Sequence, residues 1–131
     1  MPFFKSKKRK HFEEVIRQTK KKLWNEEFRR ERLKALREDV RIEYDRINEK
    51  VRMAKTRVEE EKKRGKEADK EAIEKLEKLV EHYSPDLAYK TQQMASLDKE
   101  TDDETAPESC IALIQGYRAA LDMLKAYVKK C

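Results

Sequence analysis

Apolar side chains return every three or four residues through Val40, Tyr44, Ile47, Val51, Ala54 and Val58, an unbroken seam along one face of a helix. A second seam runs through Ile73, Leu76, Val80, Tyr83 and Leu87. A third runs through Cys110, Ile114, Tyr117, Leu121, Leu124, Val128 and Cys131. No stretch alternates with the period of two that a half-buried strand requires. Helices with one apolar stripe each must bury those stripes against one another, so the chain is expected to be all-α. Only two glycines and three prolines occur in 131 residues, too few for the many turns of an all-β fold.

The junction at Gly65 sets how the first two seams meet. Lys62, Lys63 and Arg64 precede it, and Glu67, Asp69 and Glu71 follow. Cations suit a helix C-terminus and anions an N-terminus, and glycine is the preferred residue just past a helix end. The pattern predicts a turn. The alternative is one helix continuing through Gly65, which costs about 1 kcal/mol and threads the seam through Ala68 and Ala72. With a turn, antiparallel partners have residue numbers adding to a constant. Val58 with Ile73, Val51 with Val80, and Tyr44 with Leu87 add to 131; Ala54 with Leu76, Ile47 with Tyr83, Leu36 with Met94, and Leu33 with Leu97 add to 130. Both arms then end together near Leu33 and Leu97.

Two further start signals follow. Ser84-Pro85-Asp86 and Thr105-Ala106-Pro107-Glu108 each place a capping residue and a proline at the head of a helical stretch. The expected architecture is a long antiparallel helical hairpin with a third helix packed on it, a three-helix coiled-coil bundle. Its parts are a basic N-terminal tail at 1–10, helix 1 over 11–64, helix 2 over 67–98 with a break at 84–85, an acidic loop at 98–106, and helix 3 over 107–130. Helix 3 is expected to run back along the hairpin, leaving about 20 residues of helix 1, ~30 Å, overhanging. Dimerisation through helix 3 is the alternative, with Gly116 allowing a close approach.

Charge adds a direction. Lys and Arg number 33 against 27 Asp and Glu, and 46% of side chains are charged. Residues 1–65 carry a net +10 and residues 66–131 a net −4; the excess is steepest over 1–32, at +7. Such asymmetry favours an anionic partner for the N-terminal end, or head-to-tail self-association. The overhanging segment also bears an apolar stripe of Phe12, Val15, Ile16, Thr19, Leu23, Trp24 and Phe28. Burying one large apolar side chain is worth about 1.5–3 kcal/mol, so the stripe is expected to meet a partner. Phe12, Ile16, Leu23, Trp24 and Phe28 are the expected partner-binding residues.

Three partners fit. Another protein, or a second copy of the chain, would take the apolar face into a groove or coiled coil. An anionic membrane surface would take Phe3, Phe4 and Trp24, with Lys5, Lys7, Lys8, Arg9, Lys10, Arg17, Lys20, Lys21 and Lys22 on the headgroups. Nucleic acid would engage the same cations through phosphates, but leaves the apolar stripe unexplained. The N-terminal run Met1-Pro2-Phe3-Phe4-Lys5-Ser6-Lys7-Lys8-Arg9-Lys10, the basic hairpin turning at a Lys-rich glycine and the more acidic second half resemble ESCRT-III membrane-remodelling subunits over residues 1–95. The resemblance implies a helical hairpin that works at membranes; the second half is only mildly acidic, which departs from it.

Chemistry-bearing motifs are sparse. His11 and His82 have no nearby cysteine or second histidine at ligand spacing, and with glycines only at 65 and 116 no phosphate-binding loop can form. Residues 98–104 imitate the alternating acids of a calcium loop without its glycine. Cys110 and Cys131 lie three heptads apart on one helix, ~31 Å, too far to bridge. Cys110 is expected in the core and Cys131 as a free thiol. No apolar run approaches the roughly 20 residues of a membrane span, and no apolar stretch follows the basic N-terminus as in a signal peptide. The expectation is a non-enzymatic, intracellular (cytoplasmic or nuclear) assembly or adaptor protein without cofactor, metal or small-molecule substrate.

Overall fold

In the computed structural model, which describes residues 6–131, Ser6 opens the first helix. Its Oγ accepts the Arg9 N–H at 3.1 Å and its carbonyl accepts that of Lys10 at 3.0 Å. Helix α1 therefore spans Lys7–Lys62, starting four residues before the expected position, and Lys7, Lys8, Arg9 and Lys10 belong to it rather than to a tail. Helix α2 spans Lys70–Asp102 and α3 spans Cys110–Lys130. The chain is about nine-tenths helical and all-α, with three α-helices and no strand among the described residues; α2 packs on α1, and α3 packs on the first part of α1. On the outer surface of α1, Arg17 pairs with Glu14, Arg41 with Glu38 and Asp45, and Arg52 with Glu49. Pairs three or four residues apart each stabilise a helix by about 0.2–0.5 kcal/mol.

Contacts group the chain into two units, Leu36–Ser96 and Met1–Ala35 with Leu97–Cys131. The first is the hairpin. Gly65 has φ +64°, the left-handed region that excludes a continuous helix, and a short 3₁₀ turn follows at Gly65–Glu67. Glu61 fastens the turn, accepting the Asp69 N–H at 2.7 Å and pairing with Arg64 at 3.0 Å. Asp69 then caps α2 by accepting the Ala72 N–H at 3.1 Å, so α2 starts at Lys70 rather than 67. Val40, Val51, Ala54 and Val58 are buried, facing the half-buried seam of Ile73, Leu76, Val80, Tyr83 and Leu87. Lys90 reaches Glu43 at 3.3 Å, two to three residues from the expected register, and Lys62 reaches Glu77 at 3.3 Å, eight to nine residues from it.

The break expected at 84–85 does not occur: α2 runs unbroken through Pro85 to Asp102. An interior proline costs about 3 kcal/mol because it removes one N–H and crowds the preceding turn. Val80, Tyr83 and Leu87 pack on either side of it, Ser84 Oγ donates to the Val80 carbonyl at 2.7 Å, and Lys90 holds both Asp86 and Glu43. Packing outweighs the local start signal.

In the second unit α3 lies antiparallel on the first part of α1. Tyr127 near its end stacks on Phe12, centroids 5.7 Å apart, and Arg118 reaches Glu27 at 3.5 Å. The overhang expected of helix 1 is therefore corrected: its inner stripe is the surface on which α3 is seated. The acidic loop is corrected too. Residues 98–102 are helical, and Glu100 and Asp102 pair with Arg29 at 3.2 Å and Arg30 at 2.7 Å. The true turn, 103–109, is closed by Ser109, whose Oγ accepts the Ala112 N–H at 3.2 Å and donates to the Asp103 carbonyl at 2.6 Å. Ser109, not Thr105, is thus the cap of α3, and the helix begins at Cys110 rather than 107. Its interior Gly116 has open space where a Cβ would sit. Gly116→Ala should raise the stability of the dilute protein by about 0.5–1 kcal/mol in thermal melts.

Candidate functional site

The expected partner-binding stripe divides into two faces once α1 is folded. Leu23 and Trp24 are neighbours in sequence and hence about 100° apart around the helix. Phe12, Ile16 and Leu23 are half-buried in the unit that α3 closes. Trp24 and Phe28 point outward, 65% and 52% exposed. Their rings stack with centroids 5.9 Å apart at 17°, and the Arg32 guanidinium sits 5.8 Å from the Phe28 centroid. Glu27 and Glu31 line the groove beside the two rings. Lys20 and Lys21 lie one turn before Trp24 on the same side, both exposed, and Arg17 lies two turns before it. Arg17 is held by Glu14 through two bonds, which raise the guanidinium and lower the carboxyl from their ordinary values.

The other expected contacts scatter. Lys22 is exposed away from the aromatic pair, and Lys7, Lys8, Arg9 and Lys10 form the first turn of α1, Arg9 pairing with Glu13 at 3.2 Å. Phe3, Phe4 and Lys5 lie outside the described residues. Sequence reasoning missed Arg32, whose position four residues after Phe28 was the available signal, and the work of Arg29 and Arg30. These last two neutralise the end of α2, so part of the N-terminal positive charge is matched within the chain. No helix among the described residues is long and apolar enough to cross a membrane.

The turn between α2 and α3 is closed by a small polar knot that ties the start of α3 to the end of α2. Thr101 and Ser109 are almost fully enclosed, and Thr101 Oγ1 donates to the Leu97 carbonyl at 2.9 Å. Asp103 Oδ1 accepts both the hydroxyl of Thr105 at 2.6 Å and its N–H at 3.0 Å, which holds the carboxyl below its ordinary value. A lowered carboxylate contributes stability above its unfolded pKa and loses it as pH falls through the folded value. Asp103→Asn should therefore lower the melting temperature at pH 7, and the gap from the native chain should narrow as the pH falls below the ordinary carboxylate range.

Cys110 is completely enclosed and Cys131 exposed, both as free thiols. Burial pushes the Cys110 thiol up, Glu26 adding to this against the opposing charge of Arg29. Because the thiolate is the nucleophile, a thiol reagent should titrate Cys131 in the native chain and Cys110 only after denaturation. Rapid reaction of both would mean that α3 is not seated on α1. No protein-family model, curated protein or solved structure matches this chain.

Proposed function

We propose that the protein is a non-enzymatic helical adaptor, built on coiled-coil-like packing, that docks a partner protein through Trp24 and Phe28. The observation that carries this reading is the outward aromatic pair, stacked and ringed by charge of both signs. Tryptophan, aromatic and arginine side chains dominate interface energetics, within a rim of polar groups. The exposed Lys20 and Lys21 and the neighbouring Arg32 favour a partner helix with an apolar stripe flanked by acids. A membrane fits less well. Two aromatic side chains supply only about 3–6 kcal/mol of burial. Nucleic acid fits least, since Arg29 and Arg30 are already engaged with Glu100 and Asp102.

Trp24 is the one tryptophan in the chain, so its emission reports docking directly. The test titrates the protein with a synthetic helical peptide bearing leucines on one face and glutamates beside them, with phosphatidylcholine–phosphatidylserine vesicles, and with duplex DNA. The expected result is a blue shift with the peptide, lost in Phe28→Ala, at unchanged melting temperature. A blue shift with vesicles and not with the peptide would replace the protein partner by a lipid surface. Salt-steep DNA binding indifferent to Phe28, or no shift with any probe, would also overturn the reading.

A further inference from the structure

The face of α3 turned away from α1 carries a second apolar seam. Ala112, Gly116, Ala119, Met123 and Ala126 recur at intervals of four, three, four and three residues, the spacing that keeps one side of a helix in register. Met123 is 63% exposed; Tyr127, whose ring stacks on Phe12, marks the edge of this face. In a chain where 46% of side chains are charged, no charge interrupts this seam until Lys130 continues it. Gly116 has no use within the chain: it costs about 1 kcal/mol in a helix interior, yet nothing lies within 4 Å of where its Cβ would be.

We infer that a second copy of this chain packs here, α3 against α3, antiparallel and centred on Ala119. The seam is complementary to itself in that direction. Ala119 meets Ala119, Ala112 meets Ala126, and Met123 of one copy lies within one residue of Gly116 of the other, beside the space that glycine leaves. The ends agree in charge as well, because Lys130 of each copy falls opposite Glu108, exposed just before the α3 cap. A parallel pair would instead set Lys130 on Lys130, Glu108 on Glu108 and Met123 on Met123, leaving the two glycines facing a void. Small side chains let the helix axes approach to about 8 Å, the close end of the usual range. The seam from Ala112 to Ala126 is ~21 Å long. That contact is well below the ~1,600 Å² of a standard complex, so the association is reversible and concentration-dependent. It does not depend on the aromatic pair of α1, which lies on a different helix face.

Sedimentation equilibrium of the full chain tests this. The expected result is a monomer near 1 µM that moves toward a dimer by about 300 µM, and a monomer throughout for Ala119→Glu with unchanged circular dichroism. Orientation is read by disulfide trapping in a Cys131→Ser background, where the enclosed Cys110 stays silent. Mixing Ala112→Cys with Ala126→Cys proteins gives cross-linked heterodimers, while each alone stays uncross-linked. A native chain that is monomeric at every concentration overturns the inference. So does a dimer that survives Ala119→Glu, one abolished by Trp24→Ala instead, or efficient cross-linking of Ala112→Cys with itself.

Discussion

Ile114→Ala together with Leu121→Ala should release α3 from the first part of α1, whereas Met123→Ala on the same helix should leave the isolated chain as stable as before. Ile114 and Leu121 are 3% and 6% exposed, at the centre of the seam that faces α1. Each truncation removes buried methyl groups and leaves a cavity, at a cost of about 2–5 kcal/mol. Two such losses approach the whole stability of a small domain, about 5–15 kcal/mol. Alanine is the best helix former, so the loss reports packing between helices and not the intrinsic preference of α3. The measurement is a pair of thermal melts at low protein concentration with a thiol titration at each temperature. In the double variant Cys110 should react before any global transition; in Met123→Ala it should not. Equal behaviour of the two would mean that α3 is held by something other than its inner seam.

The second large effect is expected at Gly65. Its φ of +64° is one that a side chain with a Cβ adopts only at a cost of roughly 1–2 kcal/mol, and β-branched residues fare worst. A Cβ there meets no atom within 4 Å, so any loss is conformational and not a clash. Urea denaturation should rank the variants Gly, then Asn, then Ala, then Val, with Gly65→Val losing about 2 kcal/mol or more. Asparagine is the informative member, since it carries a side chain yet tolerates the left-handed region. If alanine matched glycine, the hairpin turn would not need that backbone geometry.

The hairpin was legible because three independent signals agree at one place. The seams on either side of Gly65, the cations before it and the anions after it all specify a turn, and Val51, Ala54 and Val58 are buried where the spacing put them. The seat of α3 was not legible, because its seam of Ile114, Tyr117 and Leu121 suits any apolar helix face of matching period. What decides it is the turn at 103–109, and there two capping serine or threonine residues competed. The winner, Ser109, is recognisable only by its bond to the Asp103 carbonyl six residues back. The pairing of Arg29 and Arg30 was not legible because their partners, Glu100 and Asp102, lie about 70 residues away, beyond any local rule. Ser84-Pro85-Asp86 failed for the opposite reason, a strong local signal overridden by tertiary packing. The aromatic site was half legible. Treating residues 12–28 as one stripe overlooked that Trp24 follows Leu23 by a single residue and so must leave the buried side.

Pro85 also bears on the order in which the hairpin assembles. A helix nucleus forms at a cost and propagates one residue at a time, and a proline in its path halts propagation until side-chain packing compensates. Residues 70–84 need only a short loop closure across Gly65 to meet the end of α1, so the segment nearest the bend can zip first. Beyond Pro85, helix and docking must form in a single step, with Leu87 and Lys90 captured by the already rigid α1. The expected outcome of φ-value analysis is therefore high values at Leu76 and Val80 and low ones at Met94.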